Sequence, residues 1–133
     1  MTFLNKEITD KILKAYFNVY NELGYGFLER VYEQALYIEL IAMGLFCERQ
    51  KAIDVFYKGE LVGNYFADII VENKVILELK AAECLIEEYE FQLLNYLKAT
   101  DIEVGLLLNF GKAPEFKRTA FSNMYKKRSI KSS

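Results

Sequence analysis

The residues best equipped for chemistry stand close together. Asp68 sits on one apolar run and Glu78 and Lys80 on the next, within F-A-D-I-I-V-E-N-K-V-I-L-E-L-K-A at 66–81. With a period of two, Phe66, Asp68 and Ile70 share one face of the first run, and Ile76, Glu78 and Lys80 share one face of the second. A hairpin turn centred on Asn73 sets Asp68 opposite Glu78. Two carboxylates ~5 Å apart repel by roughly 3 kcal/mol at an effective dielectric of about 20, so something must offset the arrangement. A divalent cation would do so. It would also neutralise a phosphate and acidify a bound water, as phosphodiester hydrolysis requires. E-L-K sets an ammonium beside the carboxylate on one face, where it can assist deprotonation or stabilise developing negative charge. The backbone carbonyl of Leu79 offers one more oxygen ligand. A solvated salt-bridge ladder or a buried ion-pair cluster would use the same residues, the former worth only ~0–1 kcal/mol per pair. The apolar surroundings, A-D-I-I-V and V-I-L-E-L-K-A, argue against a sheet face left open to water.

The elements that must position these side chains can be read from hydrophobic period. Ile8, Ile12, Ala15, Tyr16, Val19 and Leu23 form one stripe of a helix from about Lys6 to Leu23, which Gly24 stops. A second helical pattern runs from about Leu28 to Met43, with Glu29 and Tyr32 on one side of it and Gly44 as its break. The period then changes to two: a strand of about Glu48 to Tyr57, a K-G-E turn, a strand of about Leu61 to Val71, the E-N-K turn, and a strand of about Val75 to Ala81. A helix from about Ile86 to Thr100 stacks Gln92 and Tyr96 on one face, four residues apart, with Tyr89 one turn earlier. The nearly continuous apolar run E-V-G-L-L-L-N-F at 103–110 reads as a strand covered on both faces, parallel to its neighbour and reached by a right-handed crossover. Past Gly111, Phe116 and Phe121 are edge contacts at most. The expected fold is an α/β domain, a mixed sheet flanked by helices in the order ααβββαβ, spanning residues 1–121, with 122–133 a basic, fraying tail.

Composition narrows the chemistry further. The chain of 133 residues, 53% hydrophobic, suits one core. It has no histidine, which removes His-based general bases, Ser-His and Cys-His nucleophiles and histidine metal sites. Any metal would be held by oxygen, which suits Mg2+ or Mn2+. Cys47 and Cys84 lack C-x-x-C spacing and read as reduced fillers. The net charge of −2 is unevenly spread, since Lys117, Arg118, Lys126, Lys127, Arg128 and Lys131 gather at the end with no acid among them. Such a tail can track phosphates beside an acidic pocket, or simply keep the chain soluble. The start of the chain has no signal-peptide core and no apolar run approaches ~18 residues, so a cytoplasmic protein without a membrane span is expected. Of the aromatics, Tyr16, Phe56, Tyr65 and Phe66 occupy periodic positions compatible with the core, so most rings are expected to pack inside instead of stacking on unpaired bases.

Asp68, the E-L-K at 78–80 and the following helix with Q-L-L-N-Y at 92–96 resemble the PD-(D/E)XK nuclease superfamily, and Q-x-x-x-Y is similar to its RecB-like branch. G-F-L-E-R-V-Y at 26–32, L-L-N-Y-L-K-A-T at 93–100 and G-L-L-L-N-F-G at 105–111 resemble more narrowly its small stand-alone GxxExxY family. The resemblance implies a restriction-endonuclease-like core in which Asp68 and Glu78 hold metal and Lys80 is catalytic. Glu29 would be a further ligand or water-positioning group, and Gln92, Tyr96 and Tyr32 would line the substrate pocket. It implies a Mg2+- or Mn2+-dependent nuclease acting on DNA, although these residues do not separate DNA from RNA. Tyr20 and Tyr25 stand where the family often carries histidine and proline, which weighs against any histidine-dependent step. The rival readings are a non-catalytic nuclease-fold module that binds nucleic acid or a protein, and a small interaction domain that forms a homodimer through a helix face.

Overall fold

A computed structural model describes residues 4–126; Lys127, Arg128 and Lys131 of the basic tail lie outside the described residues. The elements are α1 (Lys6–Leu23), α2 (Glu29–Ala42), β1 (Cys47–Tyr57), β2 (Glu60–Val71), β3 (Val75–Lys80), α3 (Glu87–Lys98), β4 (Val104–Phe110) and β5 (Pro114–Ala120), followed by a 3-10 turn at Asn123–Tyr125. The expected mixed sheet flanked by helices is present, with one addition. The five strands lie in the order β1-β2-β3-β4-β5, so the element order is ααβββαββ. β5 escaped the sequence reading because P-E-F-K-R-T-A is a solvated edge strand with no apolar alternation, held by antiparallel pairing to β4.

β1 pairs with β2 and β2 with β3 antiparallel, while β3 and β4 run parallel with α3 as the crossover. The β2–β3 turn is set by backbone sign: in the three-residue loop between the paired Val71 and Val75, Glu72 (φ 56°) and Asn73 (φ 55°) are both left-handed, as the central residues of a type I′ turn require, and the Lys74 N–H closes the turn on the Val71 carbonyl at 2.9 Å. Gly24 (φ 68°) ends α1 with its N–H on the Tyr20 carbonyl at 2.8 Å. Gly105 lets α3 lie close on β4, since a Cβ there would meet Leu93 Cδ1 at 2.7 Å.

One face of the sheet is covered by α1 and α2. Ile12, Tyr16, Tyr32, Leu36, Leu40 and Phe110 are packed there with Ile69, Val71, Leu77 and Leu79. The other face carries a smaller cluster under α3, including Ile53, Ala67, Ile70, Ile76, Leu93 and Tyr96. No helix among the described residues is long and apolar enough to cross a membrane.

β1 and β2 continue well past the sheet. β3 meets β2 only at Ile69–Val71, whereas β1 and β2 stay paired to Tyr57↔Glu60, leaving residues 51–67 as a two-stranded arm. The arm changes face at its root. Cys47 and Ile69 belong to the α1/α2 core, yet Ile53 and Ala67, of the same parity, belong to the α3 cluster. The switch falls between Arg49↔Ile69 and Lys51↔Ala67, at Gln50, which is left-handed (φ 51°), and Asp68. Phe66 therefore does not share a buried face with Ile70 as simple alternation implies: it is 50% exposed, and Ala67 takes the inward place. Phe56 and Tyr65 lie on the arm beyond the covered part of the sheet and are also exposed, so of the four rings expected inside only Tyr16 is buried. Cys47 is buried, whereas Cys84 is exposed and so is no filler.

Candidate active site

β2 and β3 part immediately after the Ile69↔Leu77 pair, and at the next step two carboxylates take over from the ladder. The Asp68 N–H donates to Glu78 Oε2 at 3.1 Å, and the Leu79 N–H donates to Asp68 Oδ2 at 2.8 Å. Each acid accepts a hydrogen bond from the backbone of the other strand. The strands can separate here without orphaning donors because the side chains satisfy them. The result is a crossed carboxylate pair at the mouth of the sheet, with Glu78 only 6% exposed.

Burial sets the electrostatics of the pair. Glu78 is pushed up to about 8, first by loss of water and then by repulsion from Asp68, while the nearby Lys80 ammonium pulls it the other way. Asp68 is also raised, by burial first; the Leu79 N–H opposes this, and the charges of Glu33 and Glu29 add to it. Two acids sharing a poorly hydrated site cannot both ionise cheaply.

α2 supplies the acids beyond the pair. Glu29 and Glu33 are four residues apart, hence on one side of that helix. Glu33 is buried and accepts from Arg49 Nε at 3.1 Å and from the Gln50 amide at 2.9 Å; the same amide reaches Asp68 Oδ1 at 3.4 Å. Gln50 is thus a neutral spacer between two carboxylates, and its left-handed backbone aims it there. Glu29 is exposed and acts on Asp68 and Glu78 through its charge. Among the described residues, no three His, Cys, Asp or Glu side chains are gathered closely enough to ring a metal ion. The donor chemistry nevertheless suits a hard divalent cation. The donors are all oxygen, and the pair's mutual repulsion is what a cation would relieve.

Lys80 leaves β3 on the side of α3, with Nζ 4.5 Å from the centroid of the Tyr89 ring. Its backbone is in register with Asn109 of β4, and Asn109 grips the turn beyond it, accepting from the Ala82 N–H at 2.9 Å and donating to the Ala82 carbonyl at 3.0 Å. Gln92 donates to the Tyr96 hydroxyl at 2.9 Å, and Tyr96 is raised by burial and by the charge of Glu78. Lys80, Gln92 and Tyr96 line one groove of about 1330 Å3 between the β1–β2 arm and α3.

Tyr32 is elsewhere. It is fully buried on the α1/α2 side, stacked on Phe110 at 4.2 Å between centroids, and its hydroxyl donates to the Gly24 carbonyl at 2.7 Å while accepting from the Phe27 N–H at 3.2 Å. It braces the L-G-Y-G-F loop and does not line the groove that holds Lys80, Gln92 and Tyr96, because the face of α2 that carries it is the face the core claims. Glu33, Gln50, Asn109 and Tyr65 were missed in the sequence. Asn109 had a signal, as the one polar residue in a seven-residue buried strand, and so did Glu33, one turn after Glu29.

The solved structure of SSO0001 superimposes with a TM-score of 0.57 at 18% sequence identity, over 71% of this chain and 50% of that one. The chain therefore spans about half the length of that protein, and the likeness shows the fold alone. No curated protein matches the sequence. The family model of the PD-(D/E)XK nuclease superfamily matches residues 6–119. On that match over most of its length, the chain belongs to the PD-(D/E)XK nuclease superfamily.

Proposed function

We propose that this chain is a divalent-metal-dependent deoxyribonuclease of the GxxExxY family, within the RecB-like branch, working in the cytoplasm. One observation carries the reading: a buried carboxylate, Glu78, and a half-buried one, Asp68, crossed between parting strands, with Lys80 two residues beyond Glu78 on the same strand. Asp68 and Glu78, joined by the Leu79 carbonyl and by Glu29, would hold Mg2+ or Mn2+. Bound there, the ion would neutralise a phosphate oxygen and lower the pKa of water.

The protein groups divide the remaining work. Lys80 supplies an ammonium beside the scissile phosphate, to take part in proton transfer or to stabilise the charge that develops. Gln92, fixed by Tyr96, offers an amide to a phosphate or to Lys80. Asn109 keeps the end of β3 from shifting by holding Ala82 at both its N–H and its carbonyl. Tyr89 keeps Lys80 over an aromatic face.

Purified protein is expected to cut DNA when given Mn2+ or Mg2+, and Asp68→Asn or Lys80→Ala to abolish cutting with the fold intact. Equal trace activity in wild type and Lys80→Ala would mark the cutting as contamination and end the proposal. A non-catalytic binding module is favoured by the finding that, among the described residues, no third acid joins the crossed pair closely enough to ring an ion. That reading expects salt-sensitive DNA affinity with no dependence on metal, and calorimetry with Mn2+ in which Asp68→Asn changes nothing.

A further inference from the structure

We propose that the groove between the β1–β2 arm and α3 holds an unpaired nucleic-acid strand by stacking its bases, and leads that strand to Lys80. The inference rests on the nuclease reading above for its active site, but its evidence is separate. At about 1330 Å3 the groove exceeds the roughly 300–1,000 Å3 typical of a small-molecule pocket, which suits a chain-like ligand. Rings stand on both of its sides. Tyr65 of the arm faces Tyr96 of α3 with centroids 5.8 Å apart, Phe91 stands at the rim 56% exposed, and Tyr125 stands 66% exposed.

Cations are interleaved with the rings. Lys80 lies over Tyr89, and Lys98 lies over Phe121 at 5.6 Å. Flat apolar faces alternating with ammonium groups match a strand in which bases alternate with phosphates.

A duplex is the wrong shape for such a lining. Its base faces are hidden in the stack and its outside is a row of phosphates, so the rings would meet charged oxygens and gain no stacking. The exposed rings of the arm fit this reading. The face switch at Gln50 and Asp68 sets Tyr65, of the same parity as Ala67, on the α3 side of the arm, against Tyr96. Bases of DNA and RNA stack alike, so the shared chemistry is an unpaired strand of either sugar.

The test is fluorescence anisotropy with the full chain in EDTA, using labelled oligo-dT, oligo-rU and a duplex, each of about 12 units. The strand is expected to bind about tenfold or more tightly than the duplex, and the better of dT and rU identifies the sugar. Phe91→Ala and Tyr125→Ala, both at exposed sites where folding is spared, should each weaken strand binding about fivefold or more and leave duplex binding unchanged. Binding is read in EDTA, where metal-dependent cutting cannot occur, so a failure of the nuclease proposal leaves this result standing. Duplex bound as tightly as strand, or strand binding untouched in both aromatic variants, overturns the groove without bearing on the cleavage result.

Discussion

The two faces of the sheet are built on different terms. Against α1 and α2 the sheet buries large apolar side chains with their polar atoms satisfied: the Tyr16 hydroxyl donates to the Asn109 carbonyl and accepts from the Glu115 N–H at 3.0 Å, and the Tyr20 hydroxyl donates to the Gly111 carbonyl at 2.6 Å. Against α3 it buries a smaller apolar cluster and then gives way to a carboxylate pair, a lysine and an open groove. One 12-residue helix cannot cover both the sheet and an arm projecting from it, so this face is left partly open. The lesson is one of division: the closed face supplies stability, and the half-covered face can hold charges whose burial costs free energy.

That division can be attacked from both sides. Phe110→Ala, which removes a ring in contact with Tyr16 and Tyr32, should cost about 3–5 kcal/mol in urea unfolding. Cutting per folded molecule should be unchanged, and a loss of turnover in the folded fraction would show that the faces are not independent. Lys80→Arg should do the reverse. A guanidinium is always charged and differs in shape from an ammonium, so cutting should fall about 10²-fold, near 3 kcal/mol of barrier, while unfolding moves by less than about 0.5 kcal/mol. Retained cutting would reduce Lys80 to one partner in an ion-pair ladder.

The charged face also has a pH signature. An ordinary glutamate titrates near about 4.3, but Glu78 is raised to about 8 in the folded protein. Between those values the folded state binds a proton the unfolded state has released, so stability falls as pH rises through this window and stays low above it. Without divalent cations, the unfolding free energy should drop by about 4 kcal/mol between pH 5 and pH 9. Glu78→Gln should flatten most of that slope, whereas Mn2+ should raise the high-pH limb of the wild type. An unchanged slope in Glu78→Gln would place the titration elsewhere.

The smallest effect concerns the spacer. Gln50→Gly keeps the left-handed backbone and removes the amide between Glu33 and Asp68. Stability should change by about 1 kcal/mol, and Mn2+ affinity measured by calorimetry should fall severalfold. Unaltered affinity would make Gln50 a device of the bend alone.

Much of this was legible in the chain. Asp68, Glu78 and Lys80 stood out because charge inside two apolar runs is anomalous whatever the fold, and period two placed Glu78 and Lys80 on one side of β3. The hairpin turn at Glu72 and Asn73 set the register, and the apolar run before Phe110 pointed to a strand covered on both faces beside β3. β5 was silent because a solvated edge strand is stabilised by backbone pairing, which leaves no apolar pattern to read.

Tyr32 and the arm show where local pattern stops. Tyr32 and Glu29 share a side of α2 by spacing, yet the core takes the tyrosine and leaves the acid exposed. Helix period gives relative angles and not which neighbour lies at each angle. Alternation likewise assumes a strand that keeps its faces, and a single left-handed residue at Gln50 reverses them for everything beyond it. The sequence by itself determined which groups could do chemistry and which strands carried them, because types and short-range spacing are local properties. Only the tertiary structure decided that Glu78 would accept from the Asp68 N–H and Asp68 from the Leu79 N–H, that Gln50 would stand between Asp68 and Glu33, and that Tyr65 of the arm would face α3 across a groove. Those outcomes depend on how strands part and twist in space.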